Sequence, residues 1–284
     1  MTSWKNETYC RRGVSTRRVQ PRDAAPVIIR TWEKREGDGM EIVLSSASHH
    51  AMLFVYVAKE IIDGSGERDR DVIVRAVRRY GRQRGRRMAM RARIDQNPCN
   101  ALYYDMYGEW ECFPGQVECT PGIGGEGFSL HYNRCPWYTE WRHFDVMEYG
   151  RYYCDYVDAA IMEGFGLTSG SLTGSRADGD PTCDLTFFNE HYSRADYDRL
   201  EEDRRLLGRN GKMPWEYHVG HLYQCLKRCV EKQLGEEGLV ALETGLVRYG
   251  EQFGEDARQL VLEYGEIDYE MLPPYKSYKM PKED

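Results

Sequence analysis

Residues 135–188 read CPWYTEWRHFDVMEYGRYYCDYVDAAIMEGFGLTSGSLTGSRADGDPTCDLTFF, and the fold turns on this stretch. Helical spacing of apolar and polar residues from about Glu140 to Glu163 predicts one long amphipathic helix carrying Cys154 and Asp158. Two strands are expected next, roughly Gly170 to Arg176 and Thr182 to Phe188. The ADGDP turn joins them, and its Asp178-Gly179 pair is a hairpin signal. FSLHYNRC, just upstream, reads as a strand entering the same unit. Strand, helix and hairpin make an α+β unit.

Working outward, the chain is mostly helical. A helix is expected from an N-cap at Ser46 or Ser48 through HHAMLFVYVAKEIIDG. A second runs from about Arg68 to Arg93, with an apolar stripe of Val72, Val74, Ala76 and Val77, and Asn97-Pro98 ends it. Its basic run, RAVRRYGRQRGRRMAMRAR, reads first as a solvated or partner-facing face, with an anion site as the lesser reading. ALYYDMYGEWECF and GQVECT alternate partially and read as β-structure, and PGIGGEG as a turn or loop. A polar helix is expected from Ser193 to Leu207. The resulting organisation is an N-terminal arm (1–45, with at most a short helix around Val27 to Lys34), a helical hairpin (46–98), the central α/β unit (99–192), a second helical segment (193–267) and an extended tail (268–284).

The second helical segment resembles the first. At a fixed offset of 169 residues, nine of 37 ungapped positions are identical. His49 matches His218, Leu53 matches Leu222, and Gly66-Glu67 matches Gly235-Glu236. Arg79-Tyr80-Gly81 matches Arg248-Tyr249-Gly250, and Gly85 matches Gly254. These positions read as two copies of one helix-turn-helix hairpin flanking the central unit, with chance similarity between two amphipathic hairpins as the alternative.

Composition narrows the function classes. With 41% hydrophobic and 30% charged residues, the chain suits a globular fold with a sizeable core. A net charge of −7 argues against nucleic acid as a partner. Mean hydropathy is −0.70, and no apolar run reaches the ~18 residues of a membrane span. The N-terminus has no apolar h-region, and nine irregularly spaced cysteines suit reduced thiols, so a cytoplasmic location is expected. The expected partner is a small-molecule substrate, with homo-oligomerisation compatible.

Cys154 and Asp158 lie four apart, so a helix presents them one turn from each other. A thiolate is a nucleophile or soft metal ligand, and a neighbouring carboxylate can orient water or accept a proton. Alternatively, Cys154 is a small buried hydrophobe and Asp158 a surface carboxylate. Cys135, Cys154 and Cys183 could bind zinc, although no CxxC pair supports it; otherwise no cofactor is expected. His218, His221, Cys225 and Cys229 share one helical stripe, as a metal face or as core. His49 or His50 at a helix start could supply an acid/base group, or could simply pack. Cys183, Asp180, Tyr153 and Arg84 are the candidate substrate contacts. PGIGGEG lacks the Lys-Ser/Thr of a phosphate loop.

HHAMLFVYVAKEI, YGRQRG, YCDYVDAAIMEGF and DGDPTCDLTF together resemble the L-2-amino-thiazoline-4-carboxylic acid hydrolase family over roughly residues 47–190. The resemblance rests on a Cys-x-x-x-Asp helix, a Gly-Phe/Tyr pair and a Gly-Asp-x-x-Cys-x-x-x-Phe strand. Where the family commonly has Asn after Gly-Phe/Tyr, this chain has Gly166. The resemblance implies hydrolytic opening of a five-membered cyclic amidine to a carbamoylated cysteine, with Cys154, Asp158, Cys183, His49 and His50 as motif residues. A binding or sensing module without turnover is the alternative from another class, and a ring-modifying isomerase or lyase a third.

Overall fold

The computed structural model describes residues 46–65, 67–122 and 127–279. The expected arm before residue 46, the Gly66 turn and most of PGIGGEG lie outside the described residues. The architecture is α+β and mostly helical, with eight α-helices among the described residues and one antiparallel sheet.

Helix α1 (Ala47–Ser65) begins one residue after Ser46. Ser48 is thus inside the helix, and its hydroxyl donates to Glu140 instead (2.7 Å). Helix α2 (Glu67–Ile94) runs back alongside α1, bringing the His50 and Tyr80 rings to 5.3 Å. The long helix α7 (Trp215–Phe253) breaks at Gly235, whose φ of 61° and ψ of −142° are non-helical. Its first half packs on α2, where His221 meets Gln83 (2.8 Å). Its second half packs on α1: His49 meets Tyr249 (2.8 Å) and Arg248 meets Glu60 (2.9 Å). Four helical segments thus form a bundle, and α8 (Glu255–Tyr264) closes onto α7.

The predicted helix from Glu140 to Glu163 is two helices, α4 (Pro136–His143) and α5 (Met147–Phe165). Pro136 starts α4 early by occupying a first-turn position where no N–H is needed. The chain then turns at Asp145 in the left-handed region (φ 54°), with Val146 N–H donating to Trp141 O. The predicted β-structure in ALYYDMYGEWECF is also corrected. Asn100 caps a short helix, α3 (Ala101–Tyr104), by accepting from Tyr103 N–H (3.1 Å). Tyr103, Tyr104, Met106 and Tyr107 are all buried, so successive side chains do not alternate between core and solvent.

Strands β1 (Glu118–Gly122), β2 (Gly127–Arg134), β3 (Gly170–Gly174) and β4 (Cys183–Phe188) pair in the order β1-β2-β4-β3. Phe128, Leu130, Leu185 and Phe187 alternate onto the buried face. The β3–β4 connection is longer than a two-residue hairpin. A 3-10 turn (Arg176–Asp178) ends at left-handed Gly179 (φ 101°), and Asp180 accepts from Ser175 N–H (2.9 Å). Helix α6 (Arg194–Leu207) has a reciprocal Ser193/Asp196 capping box. Beyond α8, the described tail residues to 279 form no helix or strand, yet they are not a free arm. Arg87 donates to Tyr269 O (2.8 Å), Tyr275 to Asp95 (2.5 Å) and Lys279 to Asn97 (2.6 Å), strapping the tail along α2.

The closest helix contact is between α2 and α5, and glycines make it. A Cβ added at Gly85 would lie 2.1 Å from Ile161 O, one at Gly81 2.6 Å from Ala160 Cβ, and one at Gly164 2.3 Å from Arg82 O. The glycines of YGRQRG and of EGF therefore let two backbones touch and set α2 against the Cys154/Asp158 helix. Gly85→Ala is expected to force these helices apart and to destabilise by about 3 kcal/mol, an overpacking cost, read as a lower urea midpoint.

Candidate active site

Asp158 is the hub of the site. From α5 it lies within electrostatic reach of Arg84 on α2, Cys135 at the start of α4, Cys154 one turn away, Cys183 on β4, and Tyr104, Tyr132 and Tyr153. Cys135, Cys154, Asp158 and Cys183 keep intermediate solvent exposure amid strongly desolvating surroundings, which places them in a recess and not on a convex surface.

That environment tunes the groups in one direction. Burial raises the Asp158 carboxyl to about 6, with the Arg84 guanidinium opposing the rise. Burial also holds the Cys154 thiol well above its usual range, and the nearby Cys135, Asp158 and Cys183 add to the effect. Cys135 is pushed up to about 12 by burial, although the Trp137 and Tyr138 backbone N–H groups favour its thiolate. Cys183 is likewise raised by burial, and its sulfur accepts from Arg176 N–H (3.4 Å). The resting site therefore holds protonated thiols around a carboxyl that ionises near neutral pH. The described cysteines are all free. Among the described residues no group of three or more His, Cys, Asp and Glu side chains is arranged to hold a metal ion, the Cys135/Cys154/Cys183 set included.

Arg84 is 3% exposed, and its charge is poorly matched. Glu109, itself fully buried, is taken up by Arg87 (3.0 and 2.8 Å, bidentate) and Arg91 (2.6 Å). Arg84 reaches Glu109 only at 3.8 Å, stacks on Trp110 with its guanidinium carbon 3.2 Å from the ring centre, and leaves Nε and Nη1 without a hydrogen-bond partner. Three buried guanidinium groups share one directly paired carboxylate, and Asp158 offsets part of the remaining positive charge at Arg84. The basic run of α2 is thus not a solvated face along this stripe.

The two histidines of α1 diverge. His49 turns toward α7, hydrogen-bonded to Tyr249 and 4.3 Å from the Phe253 ring centre, away from the thiols; burial lowers it to about 4. His50 points inward, 5.5 Å from the Tyr153 ring centre, and Trp137 Nε1 donates to its Nδ1 (3.0 Å). Tyr153, Arg84 and Cys183 stand with Asp158, whereas exposed Asp180 closes the β3–β4 loop. On the C-terminal stripe, His218, His221 and Cys225 are buried; His221 stacks on Tyr269 at 4.2 Å. The sheet's outer face carries a Ser129–His131–Asp184 hydrogen-bonded chain (2.9 and 2.8 Å), a cross-strand ladder on the side opposite Cys183 and Leu185.

Residues 46–187 match the family model for L-2-amino-thiazoline-4-carboxylic acid hydrolase. The chain belongs to the L-2-amino-thiazoline-4-carboxylic acid hydrolase family. The family is named for a hydrolase. No curated protein and no solved structure matches the chain. Among the described residues, no helix is long and apolar enough to cross a membrane. The matched segment of this hydrolase-family chain ends inside β4, so His218, beside Trp110, and Trp215, beside His218, lie beyond it. Glu109, Trp110 and Trp137 were not among the expected site residues, and His218 was expected only within a stripe read as a metal face or as core. The signal for Glu109 was indirect: Arg84, Arg87 and Arg91 continue the buried stripe of Ile73, Val77 and Tyr80, and buried arginines require a carboxylate.

Proposed function

We propose that this chain hydrolyses a small five-membered cyclic amidine bearing a carboxylate, of the thiazoline-carboxylate kind, with Asp158 as the proton acceptor. One observation carries the reading: a carboxyl raised to about 6 stands beside a buried arginine with unspent donors. A base with that pKa is mostly ionised at neutral pH yet basic enough to take a proton in the transition state. The planar fork of Arg84 suits a substrate carboxylate and would neutralise the local surplus of positive charge.

Asp158 takes a proton from the group that adds to the amidine carbon, and Tyr153 and Arg84 steady the polar centre that forms. The tetrahedral centre collapses to a carbonyl as its carbon–sulfur bond breaks; the proton held by Asp158 passes to the departing sulfur, and the remaining hydroxyl proton goes to the ring nitrogen. The net change is addition of one water, giving a carbamoylated cysteine. The raised Cys154 thiol favours water as the attacking group. Attack by Cys154 would require Asp158 to remove its proton in the same step, with water releasing the enzyme afterwards.

Mass detection of product from L-2-amino-thiazoline-4-carboxylate with the wild-type chain tests the reading, and Cys154→Ala separates the routes. Retained turnover in that variant is the expected result and leaves water as the attacking group. Complete loss in a folded variant makes Cys154 the nucleophile. Thermal stabilisation of the wild type without product favours a binding module instead.

A further inference from the structure

We infer that His50 and His218 read the N–C=N edge of the substrate amidine, so that α7, beyond the family-matched segment, supplies half of the recognition surface. This rests on the cyclic-amidine reading of the site. Both imidazoles are fully buried and each has one nitrogen without a protein partner, His50 Nε2 and His218 Nδ1. An unpartnered buried polar atom is costly, so two on imidazoles packed against the same indole rings point to a ligand. They share neighbours: Trp110 is 6.4 Å from each ring centre, and Trp215 is 6.3 Å from His50 and 5.5 Å from His218. Trp137 and Tyr153 complete the wall around His50, and the Tyr153 hydroxyl adds a third buried polar atom without a partner.

The tautomers follow from the partners. Trp137 Nε1–H can only donate, so His50 Nδ1 is the bare nitrogen and Nε2 carries the proton. The Glu109 backbone carbonyl can only accept, so His218 Nε2 carries the proton (3.2 Å) and Nδ1 is bare. The pair therefore offers one donor and one acceptor. A neutral 2-amino-thiazoline presents the complement, a bare ring nitrogen and an exocyclic N–H. Burial keeps both imidazoles uncharged at neutral pH, and the Arg84/Arg87/Arg91 surplus disfavours a protonated amidine beside them. The indole and phenol rings suit the faces of a flat ring. The His50 N–H also draws electron density from the C=N bond that must be attacked.

The test uses Asp158→Asn, to separate binding from turnover, and tryptophan fluorescence. The probes are L-2-amino-thiazoline-4-carboxylate and L-thiazolidine-4-carboxylate, which has the ring and carboxylate but no amidine. The first is expected to bind at least about tenfold tighter, the size of one or two buried hydrogen bonds, and His218→Phe in the same background to erase the preference. Equal binding of the two probes, or an undiminished preference in the double variant, overturns the inference. If His218→Phe does not fold, 15N-histidine spectra of Asp158→Asn decide: shifts at His50 Nε2 and His218 Nδ1 on adding the amidine support it, and unmoved signals overturn it. Wild-type turnover without amidine preference would leave the hydrolase reading standing and sink this one. Preference without turnover would do the reverse.

Discussion

Asp158→Asn is expected to lower turnover by about 10²–10⁴-fold, the usual worth of a positioned proton acceptor, and at the same time to make the protein more stable at pH 7.5. The two effects share one cause. The carboxyl ionises at 3.8 as a free side chain and at about 6 in the fold, because burial outweighs the help from Arg84. Folding is therefore unpenalised below pH 3.8, and the penalty grows until the folded carboxyl is ionised above pH 6. A rise of about two pKa units corresponds to ~3 kcal/mol, and the residual solvent access of the recess leaves about 1–3 kcal/mol. Asparagine keeps the shape and removes the charge, so urea unfolding at pH 7.5 should show a higher midpoint for the variant and a smaller gain at pH 5.5. A variant both inactive and less stable would mark Asp158 as a structural group.

Acid should unfold this protein abruptly, because its buried histidines work in the opposite sense. Burial lowers His49 to about 4 and His218 to about 3, and His50 and His221 lie well below 6.5. Below pH 6.5 the unfolded chain binds protons that the folded chain refuses, so stability falls with pH through that window. Four such groups remove at most ~5 kcal/mol per pH unit, and protonation of Asp158 returns about 1.4, so up to roughly 10 kcal/mol is lost by about pH 4, enough to exhaust a domain stability in the lower or middle part of the usual range of about 5–15 kcal/mol. Circular dichroism against pH, with calorimetric proton uptake on urea unfolding at pH 5.5, reads this directly. Constant stability from pH 7 to 5 would show that these imidazoles are charged or solvated in the fold.

Much of the fold was legible in the sequence, for identifiable reasons. β3, β4, α1, α2 and α6 carry their own signals: period-two alternation, the Asp178-Gly179 turn, the Asn97-Pro98 stop and the Ser193 cap. The split of α4 from α5 depends on Pro136 and on left-handed Asp145, and no periodicity records the latter. The aromatic run from residue 101 misled because tyrosine favours strands by propensity, whereas here tertiary packing buries every face of it. At the site, Cys154, Asp158, Cys183, Tyr153 and Arg84 were each marked by spacing or motif. His49 and His50 were indistinguishable as neighbours, and only a rotation of about 100° around α1 sends one to Tyr249 and the other to Trp137. The partners of the buried arginines come from Glu109 and the tail, which no local pattern connects to α2.

The central claim is that a carboxyl tuned near neutrality, held against Arg84 by the glycine contact of α2 with α5, accepts the proton in ring hydrolysis. The most direct test is the pH dependence of kcat/KM for L-2-amino-thiazoline-4-carboxylate between about pH 5.5 and 8.5, on protein shown to be folded throughout. The expected profile rises through a single midpoint at about 6 and is level above it. A flat profile, or a rise only in the thiol range above about pH 8.5, would contradict the claim and place the proton acceptor elsewhere.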